Sequence, residues 1–305
     1  MEQPKDLFEQ YIETIEAKQA RINANGMWKW IKEYEATAET PFVLSKPDQL
    51  IKMLNSRCST SPSTIRTYIL MMRSFFKWAD SCGYCKDNPA MEISYKDVDY
   101  VTGVKETYWP NYSALLNILN MVWTPDDGLP VYPVTVFAWV GVPLKEAGTI
   151  EKEQVDIENK YIETERVRLC FDEEIADILL RYDSFSCARR DNNMTMIRTY
   201  TSNAFLYRLA IQNRTTSDTS TNQVDAANVL AVASKTLTAH NLCKPLKYSE
   251  LAKSGWLHRM YLMERNGRQL SDILDYGRNG LNTPAAYPGD ALLMYNAYKK
   301  AFNLK

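Results

Sequence analysis

The sequence predicts a mainly α-helical protein with a small β component. Across residues 5–95, apolar residues recur at three- and four-residue steps, as in "DLFEQYIETIEAKQARI" and "GMWKWIKEYEATAE". That spacing is typical of helices with one buried face. Alternation of apolar and polar residues, which is typical of strands, occurs in "YIETE" and "RVRLCF". The segment "VDIENKYIETERVRLCF" is therefore predicted to form a strand, a short turn and a second strand.

The segment "STSPSTIRTYILMMRSFFKWADSCGY" carries the clearest helical signal. It opens with serines and a threonine that can cap a helix, and Pro62 suits a first turn. A single buried stripe is predicted at helical steps by Ile65, Ile69, Met72, Phe76 and Ala79. Gly83 is the predicted stop, and "KDNPA" is the predicted exit from this fourth helix.

The sequence as a whole predicts two domains. Residues 1–95 form a helical domain, and 305 residues are enough for a second one. Residues 91–110 lack helical periodicity and carry Gly103 and Pro110, so they are predicted to be extended, with a linker at 96–110. The second domain, 111–305, is mixed: it contains "VYPVTVFAWVGV", predicted to be a buried helix, and ends in the amphipathic helix "ALLMYNAYKKAF".

Composition excludes several classes of protein. The amino terminus "MEQPKDLFEQYIETIE" has no apolar stretch for a signal peptide, and no run reaches the roughly 18 apolar residues of a membrane helix, so we expect a cytoplasmic protein. The single CxxC, Cys82 and Cys85, has no second pair, and His240 and His258 lack metal-ligand spacing. No Walker loop or GxGxxG is present, so neither a metal nor a cofactor is expected. A net charge of −1 disfavours a strongly basic nucleic-acid binder, although a local basic face remains compatible with it.

The fourth helix and its exit resemble the core-binding domain of tyrosine recombinases, the phage integrases. Their pattern is TI-x-x-Y-x-x-x-(L/M)-R-x-F-F-x-W, a glycine and a D-N-P-A exit. The matching residues are Thr64, Ile65, Tyr68, Arg73, Phe75, Phe76, Trp78, Asn88, Pro89 and Ala90. The resemblance covers roughly residues 5–300 and is looser in the second domain. It implies a helical, SAM-like core-binding domain followed by a catalytic-like domain.

In that family, two arginines hold the scissile phosphate while a tyrosine attacks it, and the resemblance implies that most of these groups are missing. The box "GVPLKE" keeps Gly141 and Glu146 but places Pro143 where the first arginine belongs. Lys145 is near, but it is a point charge and not a bidentate fork. The family's hairpin lysine should lie between "YIETE" and "RVRLCF", where the turn is too short to present one.

The family's HxxR motif admits two registers. The preferred one places Ser249 at the histidine and Ala252 at the second arginine, because the next helix then follows directly. The other keeps His240 but replaces the arginine by Cys243. In either register the late histidine position is Arg278, and the position of the nucleophile is Tyr287.

A recombinase without its chemistry is still a DNA clamp. On the fourth helix, Arg66, Arg73 and Lys77 fall within roughly 40° of one another on a helical wheel, with Thr64 and Thr67 nearby. These five are predicted DNA contacts through phosphates or base edges. The second domain adds four further candidate contacts, Arg208, Arg214, Lys235 and Lys247.

The expected function is that of a non-catalytic, sequence-specific DNA-binding protein, with transcriptional repression in a prophage or mobile element as the role. Its precedent is the repressor of temperate phages built on a degenerate integrase fold, as in phages of the SPβ type. Double-stranded DNA is the expected partner, and a homodimer, a DNA-induced oligomer and a peptide or protein antagonist stay open. The alternatives are a recombinase with a divergent site that uses Tyr287, with Lys145 and Arg278, an architectural partner of an active integrase, and a protein-interaction module without DNA.

Overall fold

The computed structural model describes residues 6–37, 40–185, 187–189, 195–199, 203–211, 224–241, 246–279 and 288–305. Within these residues the chain is mainly helical with two small antiparallel sheets, which confirms the predicted fold class. It divides into two compact units, residues 1–106 and residues 107–305. In the described part of the chain, no helix has the length and apolar character that crossing a membrane requires.

The first unit is a helical domain built around aromatic side chains. Its helices are α1 (Leu7–Thr14), α2 (Lys18–Glu35), α3 (Pro47–Asn55), α4 (Pro62–Ser81) and α5 (Val101–Thr107). Phe8 of α1 stacks on Trp28 of α2, with ring centroids 5.2 Å apart, and lies 4.9 Å from the ring of Phe75. All three side chains are buried, so α1 and α2 are held on α4 by apolar contacts at close-packed distances.

Helix α4 follows the sequence prediction. Ser61 accepts a hydrogen bond from the Thr64 N–H, and Pro62 occupies the first turn. The five residues of the predicted stripe are all buried. Gly83 adopts φ +76° just after the helix ends, a left-handed conformation that favours glycine.

Residues 91–110 are not extended, and that prediction is wrong. The chain forms short 3-10 turns at Pro89–Met91 and Tyr95–Asp97, and then helix α5. Gly103 allows α5 to pass close to the first unit's backbone, because a Cβ at this position would lie 2.8 Å from the Ser59 carbonyl oxygen and nearer still to that of Cys58. A close contact between α5 and the backbone of residues 58 and 59 leaves no periodic pattern in the sequence, so the helix was not predicted.

The second unit surrounds a helix that is buried on every side. Its helices are α6 (Tyr112–Leu119), α7 (Val131–Val140), α8 (Leu144–Ala147), α9 (Glu173–Ser184), α10 (Ala226–Ala239), α11 (Tyr248–Arg265), α12 (Leu270–Asn279) and α13 (Pro288–Ala301). All ten residues of α7 are buried, as predicted for "VYPVTVFAWVGV". Helices α9, α10 and α11 pack against it.

Two three-stranded antiparallel sheets complete the second unit. The first contains β1 (Val155–Asp156), β2 (Tyr161–Glu163) and β3 (Arg168–Cys170). The sequence predicted a single hairpin here, and β1, which pairs Val155 with Ile162, is the strand it lacked. The turn between β2 and β3 is closed by the Thr164 N–H, which donates to the Val167 carbonyl at 3.1 Å. That turn holds a glutamate and an arginine, and no lysine.

The second sheet was not predicted from the sequence. It contains β4 (Cys187–Arg189), β5 (Thr195–Thr199) and β6 (Arg208–Ile211), in that order. Residues 204–207, just before β6, are buried.

Candidate nucleic-acid interface

The outward face of α4 is polar, uncharged or basic along most of its length. We define this outward face by six exposed residues at helical steps: Ser63, Thr67, Leu70, Ser74, Lys77 and Ser81. The only acidic residue of the helix is Asp80, in its last turn. From Ser63 to Lys77 this face therefore offers hydroxyls, one apolar side chain and one cation, and the exposed carboxylate of Asp80 lies beyond them in the last turn.

The hydroxyls of the outward face are already oriented along the helix. Thr67 Oγ1 donates to the Ser63 carbonyl at 3.0 Å, and Ser74 Oγ donates to the Leu70 carbonyl at 3.0 Å. Their hydrogens are used on the backbone, so Thr67 Oγ1 can accept from a base edge, whereas the Ser74 hydroxyl also shares a hydrogen bond with the Tyr11 side chain. Thr64, which the sequence placed among the DNA contacts, is half-buried, and its Oγ1 bonds the Ser61 side chain at 2.9 Å. It belongs to the cap of α4 and lies off the outward face.

Arg66 lies at the edge of the outward face and rests on an aromatic ring. Its Cζ is 3.9 Å from the centroid of Tyr95, the last residue of the exit segment. We use exit segment for residues 86–95. The stacking holds the guanidinium in one place through a cation–π contact. Beside it is a shallow cavity of about 280 Å³, lined by Arg66, Ile69, Leu70, Arg73, Ile93, Ser94 and Tyr95.

Arg73 forms hydrogen bonds within the first unit that were not predicted from the sequence. Its Nε donates to the Ala90 carbonyl at 2.9 Å and its Nη2 to the Ile93 carbonyl at 3.0 Å. In return, Asn88 Nδ2 donates to the Arg73 carbonyl at 2.9 Å. Arg73 therefore fastens the exit segment to α4, which leaves Lys77 as the exposed cation of the helix.

The other predicted DNA contacts are in the second unit. Lys235 is exposed on α10, and Lys247 precedes α11, where its Nζ pairs with Glu250 at 2.8 Å. Arg208 lies in β6, but its side chain is not among those described, and Arg214 lies outside the described residues. For these four residues, DNA contact stays a prediction.

The arginine box "GVPLKE", residues 141–146, is partly buried: Val142 and Glu146 lie in the core, whereas Leu144 and Lys145 are exposed. Gly141 ends α7 with φ +99°, and Pro143 stands extended before α8, without a side-chain donor. Glu146 is only 6% exposed, and among the described residues neither carboxylate oxygen has a hydrogen-bond partner. Tyr248 Oη donates to the Val142 carbonyl at 2.8 Å, and burial followed by the nearby Glu146 charge raises the pKa of this phenol. These contacts hold α11 against the box.

Arg259 is a residue that sequence reasoning assigned no role. Its Nη1 donates to the Trp139 carbonyl at 2.6 Å, and its Nε donates to Tyr276 Oη at 2.6 Å. The cation thus lies at the carboxyl end of α7, where unpaired carbonyls favour positive charge. Because 120 residues separate Arg259 from its acceptor, no local sequence signal could have found the pair.

The remaining positions of the family's active site offer little to a phosphate. Ser249 is exposed and Ala252 half-buried on α11, and His240 of the other register is exposed at the end of α10. Cys243 and Tyr287 lie outside the described residues, as does the side chain of Arg278. The described residues contain no group of three or more ligands that could hold a metal ion.

His258 belongs to the core and not to a site. Its ring lies 5.7 Å from that of Trp139, and desolvation by burial lowers the pKa of the imidazole. Nearby, Tyr298 Oη of α13 donates to the Pro110 carbonyl at 2.6 Å. With Met294 and Tyr295 also buried, this face of the carboxyl-terminal helix packs on its own unit.

Comparison with known proteins gives few matches. No family model matches the chain, and no curated protein does. Among solved structures, the chain is similar to the integrase of the Tn1549 transposon, in complex with a circular intermediate DNA. The identity is 13%, over 96% of this chain and 93% of that chain, with a TM-score of 0.39. A likeness at this level carries no argument about the activity of this chain.

Proposed function

We propose that the chain is a non-catalytic, sequence-specific DNA-binding protein on a tyrosine-recombinase scaffold. The observation that carries the proposal is the outward face of α4, which from Ser63 to Lys77 presents hydroxyls and one cation without a carboxylate, with Arg66 at its edge. DNA binding draws most of its affinity from phosphates, and each neutralised phosphate releases condensed counterions. A net charge of −1 does not oppose this, because the cations are local to one helix.

The absence of catalysis is inferred from the arginine box. Phosphoryl transfer needs donors that stabilise charge on the phosphoryl oxygens, and loss of one such donor costs about 10²–10³-fold in rate. Pro143 has no donor at the first arginine's position, and Ala252 has none at the second in the preferred register. Arg259, whose Nη2 would lie 3.4 Å from a Cβ on Gly141, already donates to Trp139 and Tyr276.

The role in the cell rests on analogy with the integrase-like repressors of temperate phages. A protein that holds DNA at one site, without cutting it, blocks transcription wherever that site overlaps a promoter. We therefore propose repression in a prophage or mobile element, acting in the bacterial cytoplasm on DNA.

Selection of genomic fragments by the purified full-length chain tests this proposal. We expect one recurrent operator upstream of genes. Recovery of attachment-site DNA would instead identify a partner of a recombinase, and recovery of no sequence would identify a protein-interaction module.

A pair of variants tests the assignment to α4. Arg66→Ala and Lys77→Ala should each weaken binding and flatten the slope of log affinity against log salt by about one unit. Lys300→Ala removes an exposed lysine from α13 and serves as the control, with an unchanged slope. Equal slopes in all three variants would refute the assignment to this face.

A further inference from the structure

Leu70 is the one large apolar side chain on the outward face of α4, and it is 59% exposed. It borders two shallow cavities of about 280 Å³ each. One is the cavity beside Arg66, and the other is formed with α1 and α2 and lined by Tyr11, Ile15, Ala20, Asn23, Ala24, Thr67, Leu70, Met71 and Ser74. The leucine therefore stands as a ridge between two grooves.

Along the outward face, the neighbours of Leu70 fit DNA better than a protein surface. Protein–protein interfaces place contiguous apolar residues at their centre. Here the neighbours at one helical turn along the outward face are Thr67 and Ser74, and Arg66 and Lys77 lie beyond them. An apolar side chain flanked by cations is complementary to a groove of nucleic acid, because phosphates line both sides of the groove and an apolar group can lie at its base.

The major groove of DNA has one such group. It admits an α-helix, and the C5-methyl of thymine is the apolar feature that its base edges present. Along a helix that rises 1.5 Å per residue, Thr67 and Ser74 lie about 10 Å apart with Leu70 between them. That length corresponds to about three base pairs at 3.4 Å each.

Building on the proposed function, we infer that Leu70 reads a thymine methyl in the major groove, while the hydroxyls of Thr67 and Ser74 contact the base pairs on either side. The helix then prefers thymine at one fixed position of its operator. Arg66 and Lys77 contact phosphates and contribute affinity without sequence preference.

Removal of single methyl groups from the DNA tests this directly. Each thymine of the footprinted operator is replaced in turn by deoxyuridine, which differs only by the missing methyl, and the dissociation constant is measured. At one position we expect affinity to fall about four-fold, which corresponds to the loss of one buried methyl group. Other positions should change little.

A double-mutant cycle assigns the methyl to Leu70. In Leu70→Ala the deoxyuridine penalty at that position should disappear, whereas Leu180→Ala should retain it. Leu180, on α9, is 55% exposed and makes a matched control. Because both side chains are exposed, neither variant should perturb folding, and circular dichroism checks this.

Three results would overturn the inference. The first is an operator in which every deoxyuridine is neutral, and the second is a full penalty in Leu70→Ala. The third is a change of oligomeric state in Leu70→Ala while the loss of affinity on deoxyuridine substitution is retained. That result would mean that Leu70 contacts a second copy of the chain and not DNA. In each of these the chain still binds its operator, so the proposed function survives. Failure to select any DNA would refute that function instead.

Discussion

One substitution, glycine to alanine, should have opposite effects at two helical positions. Gly255 of α11 lies against α7, where an added Cβ would lie 2.8 Å from the Trp139 carbonyl carbon and closer still to its oxygen. Gly26 of α2 has open space, with nothing within 4 Å of such a Cβ. Both positions are inside α-helices, so the same chemical change is tested with and without a neighbour.

The magnitudes follow from packing and helix propensity. At Gly26, alanine should raise the free energy of unfolding by about 0.5–1 kcal/mol, because it is the better helix former. At Gly255 the same gain in helix propensity is outweighed, because the added Cβ overlaps the Trp139 carbonyl group, and a backbone group cannot rotate away. Overpacking of a core costs about 1–3 kcal/mol or more. We expect a net loss of about 2 kcal/mol as α7 and α11 are forced apart.

Urea unfolding followed by pulsed hydrogen–deuterium exchange measures the two effects separately, because peptides of α2 and α11 report on different units. In Gly255→Ala the α11 peptides should lose protection at lower urea, and in Gly26→Ala the α2 peptides at higher urea. Equal stability of the α11 peptides in Gly255→Ala and the unmodified chain would refute the close approach of α7 and α11.

Three further predictions concern hydrogen bonds. Tyr182→Phe removes the acceptor of the buried Tyr207 N–H, at 2.9 Å, and should lower the free energy of unfolding by about 1–3 kcal/mol in a urea titration. Arg73→Met should speed amide exchange throughout the exit segment and leave that of α9 unchanged; uniform exchange would contradict its fastening role. Hydrogen bonds from Lys299 and then Tyr295 lower the pKa of Glu264, so its stabilising contribution is lost as pH falls below the ordinary value of 4.5. Thermal unfolding of Glu264→Gln should therefore depend less on pH in that acid range, and parallel curves would refute this.

Elements with strong internal periodicity could be predicted from the sequence. Helix α4, with its proline start and glycine stop, and the fully buried α7 were both anticipated, because each follows from spacing within a single segment. The break between α1 and α2, at residues 15–17, was not anticipated, and α2 runs through Gly26 without interruption.

The parts that sequence could not predict depend on residues far apart in the chain. Helix α5 owes its place to the backbone at Cys58, and the second sheet pairs strands too short to show alternation. Arg73 matched the family pattern, but its hydrogen bonds to Ala90 and Ile93 became visible only in the folded chain. At Arg259 no pattern existed at all, since its acceptor is on another helix.

The central claim, that this chain holds DNA without cutting it, can be tested in a single reaction. Labelled operator recovered by fragment selection, carrying nicks across its footprint to trap any covalent intermediate, is incubated with the chain and divided between a native and a denaturing gel. We predict a shifted complex in the native gel and only free DNA after denaturation. A denaturation-resistant adduct that disappears in Tyr287→Phe would contradict the account and identify an active recombinase.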